Sequence, residues 1–314
     1  MEGRDLRKEP ARLASRAVSA LRQVGGLIKF SHSIFALPFA IIGYMLASCA
    51  DSAGIACRAT SGHPPLGKLV FILLAMVGAR SSAMAFNRIV DRDLDRLNPR
   101  TSDRHLPTGR LPVWAAWTVV VVGAVVLVGS AAALNRLALL LSPVALLVVL
   151  GYSYSKRFTS LSHLWLGLSL AIAPAGAWVG VRGDLTFLPC LLAAAVLFWT
   201  AGFDIIYSTQ DVEFDVSMRL YSVPARFGLE NGLRLAGISH ALCVLFLVLV
   251  GSWAELGWLY YGGVALCTLI LAYEHSIVKP TDLSRVNTAF FTLNGVVSIV
   301  LMVVTACDLY GARW

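Results

Sequence analysis

Eight stretches of this chain run for about the length of a bilayer-crossing helix without one charged side chain: residues 30–49, 111–134, 137–155, 158–181, 185–203, 235–253, 256–273 and 286–307. A helix needs roughly 20 apolar residues to cross the hydrocarbon core. A ninth stretch, 69–86, carries a single charge, Arg80. Only 14% of the 314 residues are charged, where a water-soluble domain carries about 25%. The expectation is an all-α polytopic membrane protein with nine transmembrane helices. Residues 27–308 form one domain behind a basic cytoplasmic segment, 1–26. That segment is not read as a cleavable signal peptide, because the apolar run after it is a full-length span. The short polar joints Asn135-Arg136 and Arg182-Gly183-Asp184 read as tight hairpins on one face of the membrane.

Positive charge tests that count. With the N-terminus in the cytoplasm and nine alternating helices, 20 Lys and Arg residues fall on the cytoplasmic side and 5 on the other, with Arg80 inside a span. Cytoplasmic loops of membrane proteins carry such an excess. The net charge of +8 therefore reads as loops facing anionic lipid, and nothing else speaks for nucleic-acid binding. Trp114, Trp117, Trp253 and Trp258 fall near span ends, where interfacial anchors sit. The expected location is a bacterial inner (plasma) membrane. Cys49, Cys57, Cys190, Cys243, Cys267 and Cys307 form no close pairs; they read as small buried hydrophobes, not as a zinc site or disulfide framework.

Two acidic segments carry the chemistry. Asn87, Asp91 and Asp95 follow one span at four-residue spacing, and Tyr207, Asp211 and Asp215 follow another. On a helix that spacing puts each set on one face. Carboxylates stacked at i and i+4 repel, and carboxylates at a membrane boundary are costly and usually functional. A divalent ion relieves both problems. Mg²⁺ takes few protein carboxylates and shares its shell with phosphate oxygens, so two carboxylate pairs suit Mg²⁺ around one diphosphate. The cations nearby suit the same ligand: Arg88, Arg92, Arg96, Arg100, Arg104 and Arg110 near the first motif, Lys156-Arg157, and Arg219 and Arg226 after the second. A diphosphate leaving group needs such neutralisation. A basic cytoplasmic loop also follows from topology alone, so no single arginine is assigned by its charge.

The halves look related. Each motif is followed by a Pro-containing loop with Arg and Gly, Leu106-Pro107-Thr108-Gly109-Arg110 and Val223-Pro224-Ala225-Arg226-Phe227-Gly228. The spans preceding the two motifs are second and sixth in order, an even offset that keeps both motifs on one face of the membrane, as in a parallel repeat with one site at its axis.

At these residues the sequence resembles the UbiA superfamily of intramembrane aromatic prenyltransferases, from about Leu27 to Cys307. The carriers are Asn87-x₃-Asp91-x₃-Asp95, Asp211-x₃-Asp215, Asn98-Pro99-Arg100-Thr101, and Tyr152 with Lys156. Lys29-Phe30-Ser31-His32, Phe35-Ala36-Leu37-Pro38 and Asp204-Ile205-Ile206-Tyr207 look like the 4-hydroxybenzoate polyprenyltransferase branch. A similar group acts on a dihydroxynaphthoate in an alternative menaquinone pathway. The resemblance implies nine helices around a central cavity, capped on the cytoplasmic side and open laterally to lipid. It implies Mg²⁺ as cofactor, and a polyprenyl diphosphate and a small aromatic acid as substrates. Asn87, Asp91, Asp95, Asp211 and Asp215 are the expected metal residues. Lys156, Arg88 and Arg104 are the expected phosphate ligands.

Other residues keep two readings. Tyr207 or Tyr152 either stabilises an allylic cation by its ring face or anchors a helix. Asp204 either takes the phenol or ring proton or accepts a hydrogen bond from further out. Lys29 either pairs with the acceptor carboxylate or snorkels. Arg80 is expected to line the cavity. His32, His163 and His240 lack metal-ligand spacing and read as packing or a polar cavity wall. Asn287 and Asn294 are expected to bond between helices. Homogentisate, haem B or a chlorophyllide are alternative acceptors, and a cation-coupled transporter is the alternative of another class. A transporter, however, would place its acids deep within broken spans.

Overall fold

The computed structural model describes residues 35–50 and 66–311, and the regular structure among those residues is helical, with no strand. Seven of the nine expected spans are helices long and apolar enough to cross a membrane. Six of them are α2 (Leu66–Val90), α4 (Val113–Leu134), α5 (Arg136–Ser155), α6 (Ser162–Arg182), α7 (Phe187–Ser208) and α10 (Leu229–Trp253). The seventh runs from a π-helical turn, Thr288–Leu293, into α12 (Asn294–Tyr310). The other two expected spans are present as α1 (Ala36–Cys49), only 14 residues long, and α11 (Trp258–Ile277), 20 residues long with Glu274 and His275 in its last turn. Short helices follow each acidic motif: α3 (Arg92–Leu97), and α8 (Val212–Ser217) with α9 (Val223–Phe227). Residues 1–34, with Lys29 and His32, and residues 51–65, with Cys57, lie outside the described residues.

The helices form a closed set of neighbours. α2 packs on α4, α6 on α7, α7 on α10, and α12 returns to α1, which also packs on α6. Of the seven long spans α7 is the most enclosed, with Trp199, Phe203 and Ile206 fully or almost fully buried. The outward faces carry Val121, Val125, Leu140, Leu147 and Leu269, as a lipid-facing surface requires. Trp114, Trp117, Trp253 and Trp258 are exposed at helix ends, where the sequence places interfacial anchors.

Small residues set the closest approach, as in other membrane bundles. A Cβ added at Gly78 of α2 would stand 2.6 Å from the Gly123 carbonyl oxygen of α4, and one added at Gly123 would stand 2.5 Å from Ser82 Oγ. Ser82 Oγ donates to the Val120 carbonyl at 2.7 Å across the same seam. Because the obstacle at Gly78 is backbone, Gly78→Val must part the helices. The expected loss is about 1–3 kcal/mol, read as a lowered melting temperature of the purified protein.

The two hairpins meet on one side, as expected. Asn135 Oδ1 accepts from the Ala138 N–H at 2.9 Å and caps α5, while its Nδ2 donates to the Val179 and Gly180 carbonyls at 2.7 and 3.2 Å. Gly183, at φ +76°, ends α6 in the left-handed conformation that glycine adopts without a Cβ penalty.

Two expectations fail here. The cysteines are not uniformly small buried hydrophobes: Cys243 and Cys267 are buried, but Cys190 and Cys307 are exposed. Cys49 is in a disulfide. Asn294 does bond between helices, donating to Glu274 Oε1 at 2.9 Å. Asn287 is exposed and makes no such bond among the described residues.

Candidate active site

Both acidic motifs bend their helices without losing the shared face. α2 ends at Val90, yet the Asp91 N–H bonds to the Asn87 carbonyl at 2.9 Å and the Asp95 N–H to the Asp91 carbonyl at 2.7 Å. The four-residue register therefore continues into α3. After α7, a 3₁₀ turn over Thr209–Asp211 tightens the chain before α8. Asn87, Asp91 and Asp95 from one half meet Asp211 and Asp215 from the other in a single cavity. Tyr152 and Lys156 at the end of α5, Asp204 and Tyr207 of α7, and Arg88, Arg100, Arg104 and Arg157 line it too. The expected metal residues, phosphate ligands and Asp204, Tyr207 and Tyr152 are thus brought together. Arg80 is not among the lining residues; its Nε is buried without a hydrogen-bond partner among the described residues.

Arginines hold three of the four motif carboxylates. Arg100 clasps Asp211 with two nitrogens, through Nε to Oδ1 at 2.8 Å and through Nη2 to Oδ2, and its Nη1 donates to the Tyr207 hydroxyl at 2.8 Å. Asn98 Nδ2 also donates to Asp211 Oδ1, at 3.1 Å. Arg104 holds Asp95 Oδ1 at 2.6 Å, and Arg157 lies 3.3 Å from Asp91 Oδ1. Asn87 donates to the other Asp91 oxygen at 2.9 Å. Asp95 Oδ2 and Asp215 Oδ2 are buried with no hydrogen-bond partner among the described residues.

The charges count evenly. Five carboxylates and five cations line the cavity. A diphosphate entering alone adds negative charge to a balanced site; one entering with divalent cations does not. Burial, together with Asp95, pushes the Asp91 carboxyl above its ordinary range, against the pull of Arg157 and Lys156. Burial pulls the Lys156 ammonium down, but Asp215, Asp204, Asp211 and Asp91 outweigh it and hold the group above its ordinary value. Crowded carboxylates with two orphan oxygens fit a cation. Among the described residues no three carboxylate, imidazole or thiol groups converge as a ready cage. Mg²⁺ with a few carboxylates and phosphate oxygens completing its shell suits such a site.

Tyr207 is placed differently from a free cation-stabilising ring. Phe290 stacks on it at 4.1 Å between centroids, and the Arg100 guanidinium stands 5.1 Å from its centre. It anchors Arg100. The π-helical turn presents Phe290 and Phe291 to it, and such turns often mark functional sites. His163 is more than packing: its Nδ1 lies 2.6 Å from Asp204 Oδ2. His240 bonds His275 at 3.0 Å, away from this cavity. Sequence reasoning gave no distinct role to Arg100, Arg157 or Asn98. The segment Asn98-Pro99-Arg100-Thr101 was the available signal for two of them.

Comparison with known proteins places the fold. The UbiA prenyltransferase family model matches residues 35–296. The chain is 33% identical over 238 residues to a 4-hydroxybenzoate octaprenyltransferase of Xanthomonas euvesicatoria pv. vesicatoria, covering 76% of this chain and 79% of the relative. It is 31% identical over 239 residues to the protein of the same name from Marinobacter nauticus, covering 75% and 80%. Among solved structures, it superposes on the apo structure of a UbiA homologue from Aeropyrum pernix with TM-score 0.77 and 35% identity, covering 88% of this chain and 98% of that one. A UbiA homologue from Archaeoglobus fulgidus, bound to GPP and Mg²⁺, shares the fold at TM-score 0.70 and 23% identity, covering 91% and 99%.

Proposed function

The chain belongs to the UbiA prenyltransferase family and is an integral membrane polyprenyltransferase, and from that premise we propose that it transfers a polyprenyl chain from its diphosphate to the ring of 4-hydroxybenzoate, with Mg²⁺, in ubiquinone synthesis. The observation that carries this reading is the convergence of both aspartate motifs, with five cations, on one cavity. Asp91, Asp95, Asp211 and Asp215 would hold Mg²⁺, with Asn87 completing the first pole. When bound there, Mg²⁺ supplies positive charge that offsets the diphosphate as it leaves. Arg88, Arg100, Arg104, Arg157 and Lys156 bind phosphate oxygens. Arginine suits that task, because its planar fork matches phosphate and carboxylate alike.

Heterolysis of the allylic C–O bond gives diphosphate and an allylic cation, which the Tyr152 ring can face from the end of α5. The electron-rich ring forms the new C–C bond ortho to its hydroxyl, and the ring proton leaves to Asp204 or to water. Lys29, outside the described residues, would meet the acceptor carboxylate. The site is taken to face the cytoplasm of a bacterial inner membrane, with the N-terminus on that side. The supporting observation is the 20-to-5 distribution of basic residues.

The test is prenyl transfer by the purified protein in lipid nanodiscs with geranyl diphosphate and Mg²⁺. Parallel reactions contain 4-hydroxybenzoate or 1,4-dihydroxy-6-naphthoate. Product from 4-hydroxybenzoate alone is expected. Product from the naphthoate alone would move the enzyme to menaquinone synthesis.

A further inference from the structure

We propose that His163 is a positioning residue that fixes Asp204 to receive the hydroxyl of the aromatic acceptor, an inference that rests on the small-aromatic-acid reading above. His163 opens α6 and is 1% exposed, and Asp204 of α7 is 8% exposed and lines the cavity. The two imidazole nitrogens have separate partners. The backbone N–H of Val223 points at Nε2, at 3.1 Å. A backbone N–H can only donate, so Nε2 offers its lone pair and the ring proton resides on Nδ1. Nδ1–H therefore donates to Asp204 Oδ2 at 2.6 Å. The geometry selects one tautomer, and that tautomer makes Asp204 the acceptor.

The clamp reaches beyond the pair. Val223 belongs to the segment that follows the second aspartate motif. That segment is tied to the α5–α6 corner at two more points: the Tyr221 N–H donates to the Lys156 carbonyl at 2.7 Å, and Ser162 Oγ lies 3.5 Å from the Tyr221 carbonyl. The ring is thus fixed at both nitrogens between the central helix and the loop beside the phosphate-binding lysine. His163 occupies one Asp204 oxygen. The other has no hydrogen-bond partner among the described residues and is left to a group in the cavity. A phenol O–H is such a group. Accepting its hydrogen bond sets the ring's orientation and pushes electron density toward the ortho carbon that attacks. Asp204 lies on α7 before the 3₁₀ turn that carries Asp211, so it meets the acceptor without being counted among the metal residues.

The experiment compares His163→Leu, His163→Gln, Asp204→Asn and the double variant His163→Leu/Asp204→Asn in nanodiscs, with each substrate varied in turn. His163→Leu is expected to raise KM for the aromatic acceptor about tenfold, the scale of one lost charge-assisted hydrogen bond. KM for geranyl diphosphate stays within about twofold. His163→Gln, whose amide offers both a donor and an acceptor, restores most of the loss. In the Asp204→Asn background, His163→Leu adds little, because the two residues act as a unit. Equal changes in both KM values that follow the folded fraction, or full additivity in the double variant, would overturn the proposal. A second readout needs no turnover: ¹⁵N NMR of histidine-labelled protein, with the His163 signal identified by its loss in His163→Leu. Expected are a protonated Nδ1 and a bare Nε2; a protonated Nε2 overturns the proposal whichever acceptor is used. If the wild type modifies neither acceptor, the functional reading fails by itself, and the proposal that rests on it falls too, whatever the tautomer shown by the spectrum.

Discussion

Asp215→Ala is expected to lower prenyl transfer by about 10²–10³-fold, the usual cost of removing one preorganised group that stabilises charge developing at a reacting centre. Asp215 is 3% exposed, and its Oδ2 is buried with no partner among the described residues. A carboxylate oxygen in that state is not serving the fold through a hydrogen bond. Asp215→Asn separates shape from charge. If the role is to hold a cation, the amide is about as inactive as alanine and the Mg²⁺ concentration for half-maximal rate rises. If Asp215 only fills space against its neighbours, the amide keeps activity. Initial rates against Mg²⁺ concentration, with folding followed by size-exclusion chromatography, decide between the two.

Arg100→Ala is the second large effect, with an expected fall in kcat/KM of about 10²-fold. Arg100 ties Asp211 to Tyr207 and reaches from the loop after the first motif into the second. Its removal leaves Asp211 with Asn98 as its hydrogen-bond donor among the described residues. The cavity also loses one of five cations, so a diphosphate meets a more negative site. Arg100→Lys is expected to recover little, because a point-charged ammonium cannot contact two carboxylate oxygens and a phenol in the same fork. The loss falls mainly on KM for the prenyl diphosphate, which steady-state kinetics with each substrate varied separately reads directly.

What was legible in the sequence was local or compositional. Long apolar runs marked the seven helices long enough to cross a membrane among nine expected spans, and i, i+4 spacing marked Asn87, Asp91 and Asp95 as one face, which the continued hydrogen bonding from α2 into α3 preserves. The even offset of the motifs placed both on one side of the membrane, where they meet in one cavity. What was not legible depends on contacts between residues far apart in the chain. Arg100 and Asp211 are 111 residues apart, Arg157 and Asp91 66, and His163 and Asp204 41. A row of arginines in one loop follows from the expected topology alone, so their pairing partners leave no trace in spacing. His163 looked like one more polar residue on an apolar helix, because its significance lies in what each ring nitrogen touches. The π-helical turn that sets Phe290 on Tyr207 has no residue pattern that announces it. Tyr207 therefore keeps two readings in the sequence, a cation-facing ring or a helix anchor, and its place beneath Arg100 and against Phe290 shows only in the fold.

The central claim is that both motifs build one metal-dependent diphosphate site. It is tested most directly by isothermal titration of a non-hydrolysable geranyl diphosphate analogue into the protein in nanodiscs, with and without Mg²⁺, for the wild type, Asp91→Asn and Asp215→Asn. Expected is one site per chain that needs Mg²⁺ and is weakened at least about tenfold by either substitution alone, since each removes a charge from the same ligand shell. Binding that persists unchanged without Mg²⁺, or that survives the loss of one motif's carboxylate, would contradict it.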